Sequence, residues 1–312
     1  MRISRSPSPA SGPANANVPS VTRSSPMPWL LASRTTSEWW HAFPIPADGD
    51  RRSVIADRYD AFLFDLDGVL YRGAEPIEGA AGTIATLRSL GKGLAFMTNN
   101  SARTPEAIVA HLAALGIEAG AAEVETSALT TAELLRSRAV VSAYVVGDEG
   151  LRTALAAAGL TLLEQSASDA ETVVVGWDRG FDYAELATAC VLIQRGASLV
   201  ASNADASYPV EDGLVLPGAG AILAAIETAT GVNAEVVGKP NAPIFRAALA
   251  RAGDGRPLVI GDRLDTDIEG ARRLGWDALL VLTGITTEDD LHGAGPKPTY
   301  VAERLDRLVE QD

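Results

Sequence analysis

The chain has 312 residues, 47% hydrophobic side chains and a net charge of −14 at neutral pH. That length and apolar share suffice for one large or two medium domains with a full core, and the charge disfavours a general role on nucleic acid or anionic membrane, where basic patches supply the attraction. The lone Cys190 excludes an intrachain disulfide and points to a reducing compartment; with no activating group beside it in sequence, it reads as a small buried hydrophobe. No stretch approaches the roughly 18 apolar residues of a membrane-spanning helix, and the N-terminus lacks the apolar run of a secretory signal, so cytoplasm is the expected location.

Residues 1–52 are rich in Ser, Pro and Asn and carry six Arg against three acids, which predicts a disordered extension. Trp29, Trp39 and Trp40 within it could dock on the domain or on a partner; a dispensable extension is the plainer reading. From Tyr59 onward, short apolar runs alternate with longer Ala/Leu-rich amphipathic stretches, the pattern of βαβ units in a mostly parallel sheet. Strands are expected near 61–65, 94–98, 143–147, 172–176, 198–201, 235–238, 257–261 and 278–282. Helices are expected over 77–90, 104–115, 127–137, 149–158, 183–195, 218–230, 241–252, 266–274 and 301–310, with Thr104-Pro105 and Asn241-Ala242-Pro243 as capped starts.

Four strand ends carry chemistry. Ala61-Phe62-Leu63-Phe64 delivers Asp65 and Asp67 in Asp65-Leu66-Asp67-Gly68, at the edge where ligands of open α/β sheets sit; a calcium loop or an Asx turn uses the same letters. Leu94-Ala95-Phe96-Met97 ends in Thr98-Asn99-Asn100-Ser101, whose hydroxyls and amides can receive phosphate oxygens or simply form a polar turn before the helix. Val236-Val237-Gly238 ends in Lys239, one of three lysines against 23 arginines; a compact ammonium suits one phosphoryl oxygen or a carboxylate, and an exposed loop lysine is the alternative. Leu258-Val259-Ile260-Gly261 releases Asp262, Asp265 and Asp267, and helix capping accounts for only one of those acids. Gathered on one sheet edge, these carboxylates would repel one another without a cation. A hard divalent ion with oxygen ligands answers this, and Mg²⁺, bridging to a substrate phosphate, is the natural choice.

The order and content of the four elements resemble the haloacid dehalogenase-like superfamily of phosphatases, over about 56–312. The long separation of Thr98 from Lys239 is similar to subfamily IIA, which holds the N-acetylglucosamine-operon-type, p-nitrophenyl phosphate, phosphoglycolate, glycerol-phosphate and pyridoxal-phosphate phosphatases. The resemblance implies a Rossmann-like, doubly wound parallel sheet with an inserted α/β cap of the C2 type. Core segments 53–138 and 233–312 would flank a cap at 139–232 that selects substrate and excludes water. It implies Asp65 as the nucleophile forming an aspartyl-phosphate and Asp67 as the acid that protonates the leaving alkoxide and then deprotonates water. Thr98, Asn99 and Asn100 would hold phosphoryl oxygens, and Lys239 would neutralise charge. Mg²⁺ would be bound by Asp65, the Asp67 carbonyl and Asp262, with Asp267 positioning waters or Lys239. The dehalogenase branch lacks an acid like Asp67 and is disfavoured.

The loop Asn203 to Pro209 would face the leaving group, with Tyr208 where pyridoxal-phosphate phosphatases have a His; a small polar ester such as glycerol phosphate or phosphoglycolate is the expected substrate. Trp177 and Asp178 read as packing and turn residues. A homodimer through the cap stays open as the assembly. The rival readings are a phospho-accepting signalling domain, which would lack both the insertion and Asp67, and a catalytically silent scaffold that binds a protein partner.

Overall fold

A computed structural model describes residues 54–209 and 215–310; the expectations for 1–52, including the three tryptophans, lie outside them. The first sheet has six parallel strands in the order Tyr300–Ala302, Asp277–Val281, Pro257–Gly261, Ala61–Phe64, Gly93–Thr98 and Val124–Thr126. Ala61–Phe64 is central because both of its faces are apolar. Phe62 and Phe64 pack with Phe96, Leu258 and Ile260 on one side, while Leu63 packs with Val259, Ile244 and Phe245 on the other, the continuous burial that a parallel strand requires.

The chain order places a switch point beside this strand. After Ala61–Phe64 the chain builds outward to Val124–Thr126, and it later returns to lay Pro257–Gly261 against the other edge, with Phe64 beside Ile260. The segments leaving those two strands diverge, which opens the crevice where ligands of such sheets bind.

A second sheet holds five parallel strands in the order Glu235–Val236, Ser198–Ala201, Thr172–Val175, Ser142–Val146 and Thr161–Leu163. The helices Ser127–Ser137 and Glu149–Ala157 cover one face, and Tyr183–Gln194 and Ala219–Thr230 the other. Cys190 is half-buried on the third of these helices, where burial raises its thiol pKa, in keeping with an inert side chain.

All eight expected strands form, and the differences are informative. Glu235–Val236, expected in the returning core segment, is an edge strand of the second sheet, paired with Val200 and Ala201. The expected helix at 301–310 is instead the strand Tyr300–Ala302 followed by one short turn of 3-10 helix, Leu305–Leu308. Leu305 and Leu308 are buried with helical spacing, but Tyr300 and Ala302 complete the sheet against Leu279 and Val281. The helix expected from 266 is α-helical only over Glu269–Leu274, after one π turn at Leu264–Ile268 in which Asp267 and Ile268 both donate to the Arg263 carbonyl; such turns favour functional sites. Two small ribbons had no clear sequence signal: Tyr71–Arg72 with Glu75–Pro76, and Ser207–Pro209 with Val215–Pro217.

Candidate active site

The acids Asp65 and Asp262 follow neighbouring strands at the switch point, and Asp267 enters from the π turn. Asp65, Asp262 and Asp267 are buried, and each offers an oxygen within 4.8 Å of the others'. Lys239 joins two of them: its Nζ donates to Asp65 Oδ1 at 2.5 Å and to Asp267 Oδ1 at 2.7 Å. Burial opposes the ammonium's charge, but Asp267 and Asp65 more than offset this and hold its pKa above the ordinary lysine value.

One cation does not compensate three buried acids. Burial pushes the Asp262 carboxyl up to about 8, with Asp65 and Asp267 adding to the rise. Burial likewise lifts Asp267 to about 6 against the pull of Lys239, and it raises Asp65 against the same pull. Asp262 Oδ2 accepts the Ile285 N–H at 2.7 Å, whereas Asp262 Oδ1 is buried with no hydrogen-bond partner. An oxygen in that condition beside two further carboxylates fits a hard cation with oxygen ligands. Glycine makes the approach possible. Gly68 has φ +82° and a side chain there would stand 2.6 Å from Asp262 Oδ2, while one on Gly284 would overlap the same carboxylate.

Asp67 stands at the mouth. Its side chain reaches solvent, yet desolvation by its surroundings raises its carboxyl above the usual range, against the pull of Arg103 and Lys239. A raised carboxyl can carry the proton that a leaving alkoxide needs.

The Thr98–Ser101 segment is partly a positioning device. Asn99 is spent on Lys239: its Oδ1 accepts the Lys239 N–H at 2.8 Å, and its Nδ2 donates to the Lys239 carbonyl and to Asp205 Oδ1, both at 3.1 Å. Its side chain therefore fixes the lysine's main chain. Thr98 Oγ1 accepts the Asn100 N–H at 3.0 Å, and Asn100 Oδ1 the Ala102 N–H at 2.9 Å, so both side chains shape the loop. The second sheet's loops meet this segment. Asn203 Nδ2 donates to the Asn99 carbonyl at 2.7 Å, Gly150 N–H to the Ala102 carbonyl at 3.0 Å, and Trp177 N–H to Ser101 Oγ at 3.2 Å. Tyr208 is half-buried with its ring edge-on to Trp177, centroids 4.6 Å apart. Asp178 closes a turn by accepting the Gly180 N–H.

Sequence reasoning missed Asp205 as the acid that anchors Asn99 and the 283–286 segment that holds Asp262. The last carried a signal: Leu282-Thr283-Gly284 is a fifth polar, glycine-bearing strand end.

Two family models match the chain, haloacid dehalogenase-like hydrolase over 62–161 and HAD-hydrolase-like over 236–308. A D-glycerol 3-phosphate phosphatase of Mycobacterium tuberculosis is 40% identical over 262 residues, spanning 83% of this chain and 73% of that protein. A 5′-nucleotidase of Bacillus subtilis is 36% identical, spanning 80% of this chain and 98% of that protein. The crystal structure of a glycerol phosphate phosphatase from M. tuberculosis in complex with magnesium superposes with a TM-score of 0.77 at 39% identity, covering 82% of this chain and 78% of that one. With this sheet order, these strand-end residues and these relatives, the chain belongs to the haloacid dehalogenase-like hydrolase superfamily, in the phosphatase branch that forms subfamily IIA.

Proposed function

We propose that the protein is a Mg²⁺-dependent phosphomonoesterase that works through an aspartyl-phosphate on a small phosphorylated metabolite, glycerol phosphate or phosphoglycolate being the preferred candidates. The observation that carries this reading is the Asp65–Lys239–Asp267 chain of hydrogen bonds beside the unpartnered Asp262 oxygen. Asp65 Oδ attacks phosphorus in line with the departing ester oxygen, and Lys239 offsets the charge of both nucleophile and transferring group. Asp67 gives its proton to the leaving oxygen and then takes one from the water that attacks the aspartyl-phosphate. The Thr98–Asn100 segment receives phosphoryl oxygens, while the Asn99 side chain keeps Lys239 aligned. Asp65, Asp262 and the Asp67 carbonyl would hold Mg²⁺, with Asp267 supporting through Lys239; the ion supplies charge neutralisation and a template for the phosphoryl oxygens.

In this reading residues 53–138 and 233–312 act as the core and 139–232 as the cap, with Glu235–Val236 added to the cap's side. Trp177 and Tyr208 form the wall toward the leaving group. The exposed Val215 and Leu216 favour a homodimer through the cap. Among the described residues no helix is long and apolar enough to cross a membrane, and with the lone cysteine this favours a cytoplasmic setting.

A panel of monoesters assayed with Mg²⁺ and with EDTA tests the reading: phosphate release should be metal-dependent and fastest on small polar esters. Full activity in EDTA would contradict the metal assignment, and no release from any ester would contradict the function.

The ion also has a stability signature. Without a cation, the fold keeps protons on Asp262 and Asp267 at a pH where the unfolded chain, with carboxyls near 4, has released them. The metal-free protein should therefore lose stability as pH rises from about 4 through about 8. Mg²⁺ binds the ionised set, so at about a hundred times its Kd it should raise Tm by several degrees at pH 8 and by less at pH 6. Equal shifts at both pH values, measured calorimetrically, would contradict the assignment.

A further inference from the structure

We propose that the Asn203–Asp205 turn is a positioning element that aligns Lys239 with Asp65, acting through the Asn99 side chain. This rests on the charge-neutralising role given to Lys239 above.

Asp65 and Asp262 follow strands of the first sheet, but the lysine beside them is delivered by the second. Val236 pairs there with Ala201, and the ladder runs on past the strand: Val237 N–H donates to the Ala201 carbonyl at 2.9 Å and Gly238 N–H to the Ser202 carbonyl at 2.8 Å. Lys239 is the next residue. Its ammonium must reach Asp65 and Asp267 on the other sheet, so a slip of one sheet against the other would carry it away from them. A displacement of about 1 Å can cost about a hundred-fold in rate.

A tie across the two sheets opposes that slip. Asn99 follows the first-sheet strand Gly93–Thr98, and its amide brackets Lys239 by accepting from the main-chain N–H and donating to the carbonyl. The approach is close, since a side chain on Gly238 would stand 2.5 Å from Asn99 Oδ1. The same amide nitrogen donates to Asp205 Oδ1 at 3.1 Å, and the Asn99 carbonyl accepts from Asn203 Nδ2 and from Ser127 Oγ, both at 2.7 Å. The turn that supplies Asn203 and Asp205 is itself braced. Asp205 N–H donates to Asn203 Oδ1 at 3.2 Å, and Gly220 N–H, at the start of helix Ala219–Thr230, donates to the Asp205 carbonyl at 2.9 Å. Asn99, Asn203 and Lys239 are buried, so each bond in the chain is costly to leave unmade.

Lys239 acts on the nucleophile and the phosphoryl group, which every ester shares, and this separates positioning from contact with a leaving group. The readout is the rate constant of a single turnover, with saturating enzyme in excess of ester and Mg²⁺ present, which does not depend on how much of a variant is folded. Asp205→Ala should lower it about five-fold or more. The loss should agree within about two-fold between glycerol 3-phosphate and p-nitrophenyl phosphate. Asp205→Asn, whose amide oxygen can accept the same bond from Asn99, should recover most of the rate. Asn99→Ala should lose about ten-fold or more, and adding Asp205→Ala to it should cost less than about two-fold further, because the turn acts through Asn99. Four results would overturn the positioning: an unchanged rate in Asp205→Ala, a loss confined to glycerol 3-phosphate, an Asp205→Asn rate as low as that of Asp205→Ala, or losses that multiply in the double variant. Lys239→Met, run alongside, isolates the underlying reading: a wild-type rate in that variant would remove the lysine's role itself.

Discussion

Replacing Asp65 with Asn should lower phosphate release by at least about 10⁴-fold, because it removes the attacking atom itself. The substitution is nearly isosteric and leaves a carbonyl oxygen that can still accept from Lys239, so the fold should survive. Phosphate-monoester hydrolysis is among the slowest uncatalysed reactions, and enzymes accelerate it by up to ~10²¹-fold, an amount no single group supplies. The constellation acts as a unit, so losing its nucleophile forfeits what the other members contribute. Phosphate release from the best substrate, compared with wild type at saturating Mg²⁺, checks this; turnover within ten-fold of wild type would remove Asp65 from the role.

The second large effect falls on stability and activity together. Lys239→Met keeps the stem but removes the ammonium between Asp65 and Asp267, leaving three buried acids with no buried cation among the described residues. Breaking a buried pair by deleting one partner costs about 3–5 kcal/mol, since the remaining charge is desolvated and uncompensated. Protonation relieves that cost, so the metal-free variant should be hurt more at pH 8, where the wild-type acids are closer to ionised, than at pH 6. Denaturant unfolding at the two pH values measures the difference, and an unchanged midpoint at both would contradict it. Lys239→Arg should not rescue activity. The lysine is 4% exposed and its main chain is pinned by Asn99, which leaves no room for the broader guanidinium fork.

Asp65, Asp262 and Lys239 were legible because each closely follows an apolar run. Period and polarity locate a strand end, and the topology of an α/β sheet then brings strand ends together. The same reasoning failed where a contact depends on three dimensions alone. Tyr71 reads as one more aromatic near a turn, and only the folded backbone brings it into a bridge with Asp67. The bonds between the Asn99 amide and the Lys239 main chain join residues 140 apart and have no local signal. Leu305 and Leu308 have helical spacing, yet sheet pairing took the three residues before them. Glu235–Val236 belongs to the second sheet because Ser198–Ala201 offers an open edge, a fact its own two residues do not encode.

The identity of the attacking atom is tested most directly by trapping. Acid quench of the enzyme during steady turnover, borohydride reduction and peptide mass analysis should find Asp65 carrying one phosphoryl group before reduction and converted to homoserine after it. A phosphoryl group on any other side chain under those conditions would contradict the account.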